Sequence, residues 1–121
     1  PGVELVGDLP GLAGAYAAAT LFVAPLRAGA GTRLKLLEAA AHRVPIVTTS
    51  LGARGIAFAP GREVLVADGA EAFARSILDA LQHPHVSAAR AEAAHAIVRN
   101  RYDRARVIDR LACRLHAIAA T

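Results

Sequence analysis

The chain has 121 residues, enough for one domain with a hydrophobic core and too few for two. It is 55% hydrophobic and 20% charged, which argues against disorder, and its net charge of +4 comes from 13 Arg and one Lys against 10 acidic residues. This excess suits an anionic partner without choosing among a phosphate-bearing ligand, nucleic acid and an acidic membrane, and genome composition explains Arg richness equally well. The single cysteine excludes an internal disulfide framework. With no membrane-spanning run and no signal-peptide pattern, we expect a cytoplasmic location.

Strand-like and helix-like segments alternate over the first two thirds of the chain. Apolar, β-branched or alternating runs predict strands at residues 3–7, 21–24, 46–49 and 63–67, and Ala-rich or Leu-rich stretches predict helices at 12–20 and 32–42. The unbroken apolar run at 21–24 is typical of a strand buried on both faces. Further helices are predicted at 70–82, about 87–100, and from near 103 onward.

This order of elements predicts the fold class. Strands that alternate with helices pair in parallel through right-handed crossovers. We therefore expect an α/β fold: a Rossmann-like parallel sheet of about four strands, with flanking helices and a helical C-terminus. Because the chain opens without an initiator Met, directly on a strand-like run, we expect residues 1–121 to be a single, truncated domain.

A glycine-rich loop follows the second predicted strand. Gly29 and Gly31 let the backbone approach a ligand closely, at the carboxyl end of a parallel strand, where open α/β sheets bind their ligands. The first N–H groups of the next helix, from about Thr32 onward, favour a phosphate. Arg33 and Lys35 oppose the helix dipole there by ~0.3–1 kcal/mol, which a bound anion would offset. Solvated cations that are simply tolerated are the alternative.

One side of this helix carries polar residues. At ~100° per residue, Lys35, Glu38 and His42 lie together. Glu38 then has two interpretations: a weak surface pair with Lys35, worth ~0.2–0.5 kcal/mol, or a carboxylate that accepts hydrogen bonds from the hydroxyl pair of a ribose.

Two common nucleotide motifs do not fit the loop. A phosphate-binding P-loop needs Lys between Gly and Ser or Thr, but Lys35 lies between two leucines. The dinucleotide fingerprint needs Gly or Ala where Leu34 stands, and its acidic residue about 20 positions later is missing. A kinase, an ATPase and a dehydrogenase are therefore disfavoured.

A longer pattern surrounds the loop. Residues 29–39 read GAGTRLKLLEA, and PIVTT at 45–49 and GARGI at 52–56 follow. Over essentially its whole length, the chain resembles the C-terminal domain of retaining GT-B glycosyltransferases of the group-1 type. The resemblance implies that Glu38 matches the second Glu of a Glu–seven residues–Glu motif and contacts the donor ribose. It also implies that residues 31–35 lie along the diphosphate and nucleoside, with Leu34 near the base.

The resemblance implies the chemistry as well. Sugar transfer would retain the anomeric configuration without a bound metal, so we expect no cofactor and no metal site. The residues expected to bind the nucleotide-diphosphate sugar are Gly29, Gly31, Thr32, Arg33, Leu34, Lys35 and Glu38.

The chain departs from the family pattern in two respects. The first Glu of the motif falls at Ala30, so no catalytic residue is assigned. The cationic pair that usually holds the diphosphate lies upstream of the segment seen here, as does the acceptor domain. We expect the missing N-terminal acceptor domain of the same polypeptide as partner, and no sugar transfer by this chain alone. A GT-B-fold sugar-nucleotide epimerase and a non-catalytic binding module stay open as alternatives.

The remaining polar residues predict no second site. The five histidines are scattered without a carboxylate or cysteine to complete a metal set, and Cys113 is interpreted as a small buried hydrophobe. The Arg-rich C-terminal helix has an apolar stripe at Val107, Leu111 and Leu115, which predicts a packed helix with a solvated face. Peripheral contact with the inner membrane face is its alternative, whereas nucleic acid is not expected because aromatics for base stacking are nearly absent.

Overall fold

The architecture is a small parallel sheet covered by helices, in a computed structural model that describes residues 1–31 and 33–121. In chain order the elements are α1 (Ala13–Ala18), β1 (Phe22–Ala24), α2 (Leu34–Ala41), β2 (Ile46–Thr48), α3 (Ser50–Ala53), β3 (Leu65–Val66), α4 (Ala70–Gln82), α5 (Pro84–Ile97), a π-helical turn (Val98–Tyr102) and α6 (Arg104–Ala119). The predicted α/β class and helical C-terminus are confirmed.

The sheet has the order β1-β2-β3, and both strand pairs are parallel, as predicted. The described residues form three strands, so the expected count of about four is wrong. The missing strand is the one predicted at residues 3–7, which is exposed throughout. An extended segment becomes a strand only when a neighbour satisfies its N–H and C=O groups, and no described strand pairs with this one.

Burial differs between the two longer strands. All three residues of β2, the central strand, are buried, because α2, α3 and α4 pack against it. In β1, which is at the edge of the sheet, Val23 is 43% exposed, so the prediction of burial on both faces is wrong there. An apolar run identifies a strand without revealing whether the structure covers its second face.

The core lies between the sheet, α2 and α5. Leu36, Ala39 and Ala40 of α2 are fully buried, and Ala94 of α5 is buried in the same cluster. Alanine at these positions allows close approach of the two helices. The phenol of Tyr102, in the π-helical turn, accepts a hydrogen bond of 3.0 Å from the Ala57 N–H, which fixes this turn to the connection before β3.

The last helix lies largely outside this core. No residue of α6 is buried, and the stripe of Val107, Leu111 and Leu115 is 42–57% exposed. Cys113 is exposed as well, so its predicted burial is wrong. The helical spacing of these apolar residues was predicted correctly, but the spacing alone does not show that another element covers the apolar side of the helix. None of the described helices combines the length and apolar character needed to cross a membrane.

Candidate functional site

Side-chain hydrogen bonds join the carboxyl ends of β1 and β2. The hydroxyl of Thr48 donates to the carbonyl of Ala24 at 3.1 Å. The hydroxyl of Thr49 donates to the carbonyl of Leu26 at 2.6 Å and accepts the Gly52 N–H at 3.1 Å. These bonds fix the first residues of the loop after β1 against the end of β2, so the glycines that follow begin from a defined position.

The end of β3 is joined to the same edge by Asp68. Its carboxylate accepts the hydroxyl of Ser50 and, at 3.0 Å, the Ser50 N–H at the start of α3. The bond from the Ser50 hydroxyl, followed by that from its N–H, lowers the pKa of Asp68 because both stabilise the carboxylate. The ends of all three strands are thus linked by side chains.

The glycine-rich loop is closed by an arginine. Gly29 and Gly31 have φ angles of +124° and +86°, a region that residues with a side chain rarely adopt. This path turns the carbonyls of Ala30 and Gly31 toward Arg33, whose Nη1 donates to them at 2.7 and 2.9 Å. Ala30 stands where the resembling family has its first Glu, and here it contributes only its carbonyl. Thr32 lies outside the described residues.

Helix α2 begins directly after this loop. Its first helical residue is Leu34, two positions later than predicted, and Arg33 precedes it without a side-chain cap. The first turn contains no acidic residue, Leu34 is 64% exposed, and Lys35 is exposed and makes no ion pair within the described chain. The helix therefore presents the positive end of its dipole and a cation to solvent at the same end.

Glu38 lies one turn further along α2 and is exposed. The surface pair with Lys35, one of its two interpretations, is not formed among the described residues; instead the carboxylate accepts the phenol O–H of Tyr16, from α1, at 3.3 Å. Burial raises the pKa of Tyr16, and the charge of Glu38 and this hydrogen bond raise it further. The Tyr16 ring stacks on the imidazole of His42, with centroids 4.8 Å apart and planes 12° apart.

Two of the clefts that border the loop lie beside its glycines and the start of α2. One, of about 370 Å³, lies between the loop and the end of α3 and contains two guanidinium groups, from Arg33 and Arg54. The other, of about 510 Å³, lies between β1 and the start of α2 and is lined in part by Leu34 and Lys35. Both clefts place cationic side chains beside exposed backbone, an arrangement suited to a polyanion. Within the described chain, no three His, Cys, Asp or Glu residues are grouped so that they could hold a metal ion.

Six of the seven predicted site residues are described, and they lie along the loop and the first two turns of α2. Their role in binding stays a prediction. Sequence analysis missed Tyr16, Thr49 and Asp68, which hold the site in place. Thr49 had a signal, because a Thr just before a helix commonly accepts hydrogen bonds from its first N–H groups. Asp68 had none, because the N–H that it accepts belongs to Ser50, 18 residues earlier. Tyr16 had none, since its partner is 22 residues away.

Comparison with known proteins gives a family match. The family model described as "Glycosyl transferases group 1" matches residues 1–83, which include α1, the whole sheet and the glycine-rich loop. Neither a curated protein nor a solved structure matches the chain. The match spans more than half of the 121 residues and contains every residue of the candidate site.

Proposed function

Because the chain belongs to the group 1 glycosyl transferase family, we propose that it binds the nucleotide-diphosphate sugar donor of a retaining sugar transfer. The observation that carries the proposal is the sequence of groups at the carboxyl edge of the sheet. A loop with two glycines at positive φ leads into a helix whose exposed side bears Lys35 and then Glu38. Cation and carboxylate thus follow one another at a spacing that suits a diphosphate and its ribose.

The diphosphate would lie at the start of α2. The N–H groups of its first two residues and the positive end of its dipole would attract an anion. Lys35 adds a unit charge, and Arg54 lines the neighbouring cleft. In the transfer step, this positive field would stabilise the negative charge that develops on the departing nucleoside diphosphate, which takes the electron pair of the bond to the sugar. Arg33 supports the loop through its carbonyls and completes the cleft wall.

The ribose would lie one helical turn further on. Glu38 is an exposed carboxylate that accepts one hydrogen bond, from Tyr16, and has capacity for more. A ribose offers two neighbouring hydroxyl donors, which such a carboxylate binds well. The exposed side chain of Leu34 would provide apolar contact for the base.

We propose that the residues described here form the donor half of a GT-B enzyme, and that an acceptor-binding domain of the same polypeptide supplies the other half. With Ala30 in place of the first motif Glu, no side chain of the loop serves as an acid or base. The donor half would therefore bind the nucleotide without transferring sugar by itself.

Saturation-transfer NMR with UDP, GDP and ADP tests the donor site. We expect signal transfer to one of the three nucleotides, which identifies the base, and its loss in Glu38→Ala. Glu92→Ala is the matched control, because Glu92 is an exposed helical carboxylate that pairs with Arg43 beyond the other end of α2. Transfer to none of the three nucleotides, or equal transfer in wild type and Glu38→Ala, would overturn the proposal.

A further inference from the structure

We propose that Tyr16 is a positioning residue of the donor site, whose phenol holds the Glu38 carboxylate in the orientation that receives the ribose hydroxyls. This inference rests on the proposed donor function and adds to it a residue from a separate helix. The contact joins α1 to α2 across 22 positions of sequence.

The position of the phenol is fixed by the core. Tyr16 is only 8% exposed and is the one buried residue of α1. Its ring stacks on His42 and lies 6.1 Å from the ring of Phe22 in β1, at an angle of 42°. A ring held on two sides keeps its hydroxyl at one place, and that place is the surface of α2 beside Glu38.

Among the described residues, by contrast, only this phenol holds Glu38. Oε2 accepts the phenol hydrogen, and no other hydrogen bond or ion pair to the carboxylate occurs within the described residues. An exposed Glu otherwise samples many rotamers, and ordering a long side chain when a ligand binds has an entropic cost. The hydrogen bond from Tyr16 orders the Glu38 side chain before the ligand binds, and it leaves Oε1 to accept a ligand hydroxyl.

The phenol is also a dependable donor. Burial and the adjacent carboxylate raise the pKa of Tyr16 above its ordinary value, so the hydroxyl stays protonated throughout the neutral range. Glu38 is therefore always the acceptor in this pair, and its remaining lone pairs favour a partner that donates, as ribose hydroxyls do.

Tyr16→Phe tests the role because it keeps the ring and removes only the hydroxyl. Dissociation constants are measured by calorimetry for the nucleoside diphosphate that binds and for its 2′,3′-dideoxy analogue. We expect about two- to tenfold weaker binding of the ribonucleotide, the usual range for one hydrogen bond, and unchanged binding of the dideoxynucleotide. If the substitution only disturbed the structure, the binding of both nucleotides would be weakened by the same factor.

The second tyrosine of the chain is a matched control. The Tyr102 phenol also makes one hydrogen bond, to the Ala57 N–H, at a place remote in sequence from Glu38. Tyr102→Phe should leave the ratio of the two dissociation constants unchanged. In a Glu38→Ala background, Tyr16→Phe should cause no further loss, because the carboxylate that it positions is gone.

The outcomes separate the two proposals. If the wild-type protein binds none of UDP, GDP and ADP, the proposed donor site and this inference are both overturned. If binding depends on Glu38 but Tyr16→Phe leaves the ribose-to-dideoxy ratio unchanged, only the role of Tyr16 is overturned.

A second measurement covers the case in which Tyr16→Phe does not fold. In Tyr102→Phe, Tyr16 is the only tyrosine of a chain without Trp, so phenolate absorbance reports its titration directly. Glu38→Gln should lower the titration midpoint toward the ordinary pKa of tyrosine, because it removes the charge beside the phenol. An unchanged midpoint would show that the two groups do not interact, and would overturn the inference.

Discussion

Lys35 gives a prediction in which stability and binding change in opposite directions. It is the second residue of α2, exposed and without an ion-pair partner in the described chain, so its charge faces the positive end of the helix dipole. Gln has nearly the same helix propensity as Lys. We therefore expect Lys35→Gln to raise the free energy of unfolding by ~0.3–1 kcal/mol at low salt.

The same substitution should weaken nucleotide binding. A hydrogen bond to a charged group contributes ~1.5–3 kcal/mol, so the dissociation constant for the nucleoside diphosphate should rise about 10- to 150-fold. A binding group that costs stability in the free protein is a signature of a site, whereas replacing a tolerated surface lysine at this position would raise the stability and leave the dissociation constant unchanged.

Urea unfolding and calorimetry measure the two effects. With a urea slope of about 2 kcal/mol/M, the stability gain shifts the midpoint by roughly 0.2–0.5 M. The gain should shrink in 1 M salt, where the screening length is about 3 Å. Arg114→Gln, which removes an exposed cation from α6, is the control and should alter neither quantity appreciably. A Lys35→Gln protein that is no more stable and binds as tightly as wild type would refute the reasoning.

Three further predictions concern stability. Leu36→Ala should lower the free energy of unfolding by about 2–5 kcal/mol in urea, because Leu36 is fully buried; a loss below 1 kcal/mol would contradict that burial. Gly52→Ala should give little folded protein by circular dichroism, because a Cβ there would lie 2.1 Å from the buried Thr48 Oγ1; normal folding would show that Thr48 can move. Because the pKa of Asp68 is lowered in the folded protein, its carboxylate stabilises the fold above the unfolded pKa, and this stabilisation is lost as the pH falls through the folded pKa. Ser50→Ala should therefore make the free energy of unfolding, measured in urea, depend less on pH in the acid range. An unchanged pH profile would contradict this.

Glycine, proline and helix-capping residues at the ends of elements made much of the fold predictable. Helix α4 spans the predicted residues 70–82, because Gly69, with φ +85°, precedes it and Pro84 opens the next helix. Asp103, where the last helix was predicted to begin, caps α6 by accepting the Arg106 N–H at 3.2 Å. The glycine-rich loop was equally readable, since two closely spaced glycines before a Leu-rich helix leave few alternatives.

The failures share a different origin. A strand at residues 3–7 and a buried Cys113 both needed a neighbouring element that the pattern itself does not specify. The contact of Tyr16 with Glu38 depends on how α1 and α2 pack, which neither segment encodes alone. Strand pairing and burial depend on how the whole chain packs. Periodicity is a property of a single segment, so it can be recognised in the sequence.

The distribution of buried residues defines the cooperative folding unit of this chain. Nothing before α1 is buried, and the last side chain packed against the core is Tyr102, so α6 and the first 12 residues add length without adding much interior. The denaturant slope and the heat capacity of unfolding scale with newly exposed surface rather than with residue number. Both should therefore be smaller than is typical of 121 residues, and α6 should open at lower free energy than α2, independently of global unfolding.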